Sequence, residues 1–181
     1  MALPFTMHRV QLELSDVDRN VYETFDLRIA RHPSETVRYM LVRVLAYALS
    51  YEDGIAFSRE GLSNPDEPPV SVKDPTGLLL AWIDVGMPSA DRLHKASKAA
   101  RRVALFTTGD LALLRRDAKS RPIHKVESID VWPLPLKIIE RLEAHAGRDV
   151  RFALTRSEAV LYVTVGGETI EAPLEQERLL D

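Results

Sequence analysis

The chain has 181 residues, a net charge of −3 and no cysteine. One domain spanning 1–181 is the expectation for this length. Hydrophobic residues make up 45% and charged residues 28%, values that exclude disorder or a coiled coil as a description of the whole. The missing cysteines exclude disulfides, thiol catalysis and cysteine-bound zinc. No apolar run approaches the ~18 residues of a membrane span. Met1–Val10 lacks the basic and apolar regions of a signal peptide. The expectation is a soluble, cytoplasmic protein, with no membrane partner and a monomer as the default state.

Phe5–Leu14 alternates as a strand, Ser15–Asn20 has turn chemistry, and Val21–Ala30 is a second strand, so the N-terminus reads as a hairpin. His32-Pro33-Ser34-Glu35 opens a helix running to Ser50. That helix is apolar nearly all round, which predicts a buried, central position. Ile55–Phe57 and Val70–Val72 are short strands on either side of a polar, Pro-rich loop at 62–69. Leu78–Val85 is near-continuously apolar, the pattern of a strand buried on both faces. Helices follow at 88–101, 110–118 and 136–146, with strands at 103–107 and 127–131. The last strands, 150–154, 160–165 and 168–172, form a meander, and residues 175–181 are expected to fray. This order predicts an α/β fold: a mixed central β-sheet flanked by helices, with an N-terminal hairpin and a C-terminal antiparallel meander.

Charge is unevenly distributed. Residues 51–88 carry net −5, residues 89–125 net +7 and residues 126–181 net −5. An acidic block that runs into a basic one suits a cation site beside an anion-binding surface; two solvated faces would look the same. The phosphate-loop, dinucleotide, nucleophile-elbow and zinc-peptidase motifs are all absent, and the five histidines have no ligand spacing. Carboxylates remain. Asp84 ends the buried strand, where a lone carboxylate is costly unless paired or metal-bound. Asp74 precedes that strand, and Pro75 and Gly77 predict a bend that carries it back toward Asp84. Otherwise Asp74 serves only a local turn. Glu35, in the first turn of the buried helix, is a third candidate or simply a favourable charge at a helix N-terminus. Lys95, on the helix after Asp84, is within reach of the strand end, although its helix face has the spacing of a solvated one.

Arg31-His32-Pro33-Ser34-Glu35-Thr36, Val42–Leu49, Asp74-Pro75-Thr76-Gly77, Trp82-Ile83-Asp84-Val85-Gly86, His94-Lys95-Ala96 and Arg101-Arg102-Val103 resemble the YaeQ family. The family is similar in fold to the PD-(D/E)XK nuclease-like superfamily, so a restriction-endonuclease-like sheet is implied. The resemblance implies Glu35, Asp74 and Asp84 as ligands of Mg²⁺ or Mn²⁺. It departs from the superfamily pattern at Lys73, where a proline is usual, and at Gly86, where a lysine is usual. A migrated lysine is then required, and Lys95 is the candidate, catalytic together with Asp84. The implied activity is a Mg²⁺-dependent phosphodiesterase or nuclease, with the basic region 92–125 tracking nucleic acid. The alternative is a non-catalytic protein on a nuclease scaffold that binds nucleic acid or a protein partner.

Overall fold

The computed structural model describes residues 4–59 and 64–181. Its strands are β1 (Thr6–Asp16), β2 (Val21–Arg31), β3 (Ile55–Phe57), β4 (Val70–Lys73), β5 (Leu79–Val85), β6 (Arg102–Thr107), β7 (Ile129–Pro133), β8 (Asp149–Ser157), β9 (Val160–Val165), β10 (Glu168–Pro173) and β11 (Glu177–Arg178). The helices are α1 (Val37–Leu49), α2 (Ala90–Ala99), α3 (Leu111–Lys119) and α4 (Leu136–His145).

The α/β class and the mixed strand directions match the expectation, but the strands divide into two sheets. One has the order β10-β9-β8-β1-β2 and the other β11-β7-β6-β5-β4-β3. The division follows from β1, which pairs antiparallel with β2 and parallel with β8. The N-terminal hairpin and the C-terminal meander therefore join each other and not the middle of the chain.

The apolar faces explain the layering. Val10, Leu12 and Leu14 of β1, Phe152 and Leu154 of β8, and Leu161 and Val163 of β9 share one core with α1, α4 and the α1-facing residues Ala81, Ile83 and Val85 of β5. A smaller core on the other face of the six-stranded sheet joins Trp82 and Leu105 to Leu93 and Ala96 of α2 and Leu114 of α3. The β5 run is thus buried on both faces, as its sequence requires. From Met40 to Leu49 every residue of α1 except Tyr47 is buried, which explains why its sequence shows no polar stripe.

Two local expectations need correction. The helix does not begin at Pro33: Thr36 is the N-cap, its hydroxyl accepting from the Tyr39 amide, and residues 32–35 form a turn ahead of it. The C-terminal segment does not fray. Glu177 and Arg178 pair with β7, and Leu179 is fully buried in the smaller core. The predicted loop at 62–69 falls in part outside the described residues.

Candidate functional site at the end of strand β5

β4 and β5 form an antiparallel hairpin in which Val70 faces Ile83 and Lys73 faces Leu79. The chain reverses over Asp74–Gly77, with Asp74 as the first residue of the turn. The Asp74 amide donates to the Leu78 carbonyl at 3.0 Å, and the Asp74 carbonyl accepts from Gly77 at 2.9 Å. Asp74 therefore occupies the turn end of the hairpin, while Asp84 lies six residues beyond Leu78 at the opposite end. At ~3.3 Å per residue the two ends are about 20 Å apart. The expected fold-back exists but does not bring Asp74 to Asp84. Asp74 Oδ1 instead accepts from the Thr76 hydroxyl at 2.6 Å, the Thr76 amide at 2.8 Å and the Leu78 amide at 3.0 Å. The Thr76 hydroxyl, helped by the Leu78 and Thr76 amides, holds its pKa below the ordinary value against the upward push of desolvation.

Glu35 is buried and committed to Arg43. Arg43 Nε donates to Oε1 at 3.0 Å and Nη2 to Oε2 at 3.1 Å, and the His32 amide also donates to Oε2. Burial pushes the Glu35 carboxyl up, against the opposing pull of Arg43 and the His32 amide. Both Glu35 oxygens are thus hydrogen-bonded within the chain.

Asp84 behaves differently. Asp84 is 1% exposed yet borders a cavity of about 280 Å³ whose other walls include Tyr39, Glu67, Met87 and Arg92. Oδ1 accepts from the Val85 amide at 3.0 Å; Oδ2 accepts from Trp82 Nε1 at 3.1 Å and Arg92 Nε at 2.7 Å. The Arg92 guanidinium lies 5.3 Å above the Trp82 ring. It also donates to the carbonyls of Pro65 at 2.7 Å and Glu67 at 3.3 Å, fastening the loop before β4 to α2. Lys95 points elsewhere, pairing with Asp66 at the rim. Tyr39, on α1, faces the same cavity; burial and then the Asp84 charge raise its phenol to about 12.

The structure thus separates the three nominated acids into a turn, a buried ion pair and a cavity wall. Sequence reasoning missed Arg92, Tyr39, Glu67 and Asp66. The available signal was the acidic loop Asn64-Pro65-Asp66-Glu67-Pro68-Pro69. In an antiparallel hairpin the start of β4, not its end, lies beside the end of β5. Among the described residues no group of three or more His, Asp or Glu is gathered as a metal cage. Mg²⁺ asks less: one or two carboxylates beside phosphate oxygens and water. Asp84 and Glu67 both border this cavity, and Glu67 Oε1 accepts from the Arg59 amide at 3.3 Å.

The basic stretch is also less free than its sequence suggests. Arg92, Lys95, Arg102, Arg115 and Arg121, five of its ten cations, pair with Asp84, Asp66, Glu52, Glu177 and Asp91.

A mixed six-stranded sheet covered by helices on both faces, with a buried carboxylate opening on a cavity at a strand end, defines the class. The YaeQ protein family model matches residues 1–174, and the chain belongs to that family. It is 31% identical over 177 residues to YaeQ of Escherichia coli K12 and 30% identical over 176 residues to YaeQ of Salmonella typhi, with 96% of each chain covered in both comparisons. The crystal structure of YaeQ from Pseudomonas syringae is similar at a TM-score of 0.86 and 35% identity, covering 97% of both chains. That of YaeQ from Xanthomonas axonopodis pv. citri is similar at 0.83 and 30%, covering 96% of this chain and 98% of the other. Among the described residues no helix is long and apolar enough to cross a membrane.

Proposed function

We propose that the chain is a Mg²⁺- or Mn²⁺-dependent phosphodiesterase acting on nucleic acid, on a variant of the PD-(D/E)XK nuclease-like scaffold formed by α1, the β3–β4–β5 meander, α2 and β6. One observation carries the reading: Asp84 is a buried carboxylate at the carboxyl end of a central strand, and it opens on a cavity beside a guanidinium. Ligand sites of open α/β sheets favour strand carboxyl ends, and a buried charge facing a cavity is a functional candidate.

In this reading Asp84 and Glu67 hold the ion, and Glu35 and Asp74 keep structural roles. When bound, the ion supplies Lewis-acid polarisation of a phosphate oxygen and a more acidic water. Arg92 exchanges Asp84 for the phosphate, where its planar fork of donors suits two oxygens. Tyr39 remains neutral at physiological pH and donates a hydrogen bond to the substrate. Lys95 steadies charge at the rim, a role for a protonated amine and not for a general base.

A second reading has its own observation. The Arg92–Asp84 pair neutralises the carboxylate, which favours a non-catalytic protein that binds nucleic acid or a protein partner. Cleavage of labelled single- and double-stranded oligonucleotides with Mg²⁺ or Mn²⁺, by the parent and by Asp84→Asn, separates the two. The phosphodiesterase reading predicts metal-dependent cleavage lost in Asp84→Asn. No cleavage by the parent with either ion leaves the binding reading.

A further inference from the structure

A second cavity, of about 130 Å³, opens between the edge strands of the two sheets, β2 and β3. Arg28, Arg43 and Arg59 line it together with the rings of Phe5 and Phe57. Its floor is fixed. Arg43 is held by both oxygens of Glu35 and lies 5.5 Å over the Phe57 ring, which stacks on Tyr47 at 4.5 Å. Its mouth is open: Phe5 is 45% exposed and meets His32 edge-on at 5.5 Å. Glu35 offsets only one of the three arginines, so the cavity combines positive charge with aromatic faces. That combination suits a nucleobase with its phosphate and is the usual chemistry of single-strand binding.

The cavity lies close to the candidate site. Phe57 is in register with Val70, and Val70 with Ile83, the neighbour of Asp84. Two strand spacings put the β3 and β5 backbones about 10 Å apart, with Ile83 facing α1 as Phe57 does and Asp84 turned to Trp82 and Arg92 on the other face. The contacts also run continuously between the two. The Arg59 amide donates to Glu67 Oε1, and the Glu67 carbonyl accepts from Arg92, which holds Asp84.

We propose that this cavity between β2 and β3 is a subsite for a nucleotide flanking the phosphodiester at Asp84, so that the substrate is a single strand. The proposal rests on the phosphodiesterase reading for its neighbour, but not for its own binding. Phe5 stacks on the base, Arg28 and Arg59 meet the adjacent phosphates, and Arg43 is a positioning residue that fixes Phe57. Duplex DNA keeps its bases stacked and cannot place one here without unstacking it.

The test is fluorescence anisotropy of the full chain without divalent metal, so that nothing is cleaved. The probes are a fluorescein-labelled oligothymidylate, its duplex, and an abasic strand of equal length. Expected are preference for the oligothymidylate over both other probes, and roughly five- to tenfold weaker binding by Phe5→Ala with an unchanged salt slope. Arg28→Ala and Arg59→Ala should each lower the slope of log K against log salt by about 0.7, the single-strand value per phosphate contact. Lys137→Ala, on α4, is the surface control. Equal affinity for the abasic strand, or variants indistinguishable from that control, overturns the subsite, as does failure of the parent to bind. If the variants weaken binding as expected but the parent cleaves nothing with Mg²⁺ or Mn²⁺, the subsite stands and the phosphodiesterase reading falls.

Discussion

Glu35 and Asp74 are each fixed by the groups that donate to them. Glu35 and Arg43 form a buried, two-pronged pair, and removing one partner of such a pair leaves an uncompensated charge. Glu35→Ala should therefore destabilise the chain by about 3 kcal/mol in urea unfolding, and Glu35→Ala with Arg43→Met should recover most of the loss. A loss in Glu35→Ala that Arg43→Met does not recover would contradict the buried-pair role. Asp74 is held by Thr76 and Leu78 on an exposed turn. Its folded pKa is depressed, so its small contribution to stability is present above the unfolded pKa and lost as pH falls through the folded one. NMR should find its carboxyl titrating below the ordinary range, and Mg²⁺ should leave that resonance unmoved. A Mg²⁺-induced shift would return Asp74 to the metal site.

At the scale of elements, the hairpin β4–β5 and the turn into α2 build the cavity. Gly86 has φ +85°, and a Cβ there would lie 3.6 Å from Tyr39 Cε2. The space is ordinary, so the backbone sets the cost: Gly86→Ala should lose about 1–2 kcal/mol by denaturant unfolding. Its Tyr39 should still ionise near 12 in a spectrophotometric titration; a fall toward 10 would mean that the cavity wall had moved. The elements themselves were legible in the sequence because hydrophobic period reports burial, and α1 and β5 are buried all round. Pairing partners were not. Pro75 and Gly77 announced a reversal, but period alone does not say which residue lies at its apex. A turn over Asp74–Gly77 sends that carboxylate to one end of the hairpin and Asp84 to the other. Arg92 was visible as a cation on α2; its reach to Asp84 depends on the angle between α2 and β5, which no local pattern encodes.

At the scale of the molecule, the β1–β8 pairing ties the N-terminal hairpin to the C-terminal meander and leaves β3 to β7 as the sheet that carries the candidate site. The C-terminal strand then closes the far edge of that sheet. Its acidic composition suggested a frayed end, because a two-residue strand has no period to read. Leu179 is nevertheless fully buried, and Leu179→Ala should cost about 2–5 kcal/mol in thermal or urea unfolding. A change below ~0.5 kcal/mol would restore the frayed tail. The charge blocks were legible as composition, while their pairing across elements was not: five of the ten cations from 92 to 125 meet carboxylates within the chain.

In the proposed site the cavity at Asp84, and not the Asp74 turn, takes the metal, and Arg92 competes for the same carboxylate. Calorimetric titration of Mn²⁺ into the parent, Asp84→Asn, Asp74→Asn and Arg92→Met tests it directly. Arg92→Met removes a cation 2.7 Å from Asp84 Oδ2, so it should bind Mn²⁺ more tightly than the parent. Asp84→Asn should lose binding, and Asp74→Asn should match the parent. Loss of binding in Asp74→Asn with retention in Asp84→Asn, or no Mn²⁺ binding by either the parent or Arg92→Met, would contradict the account.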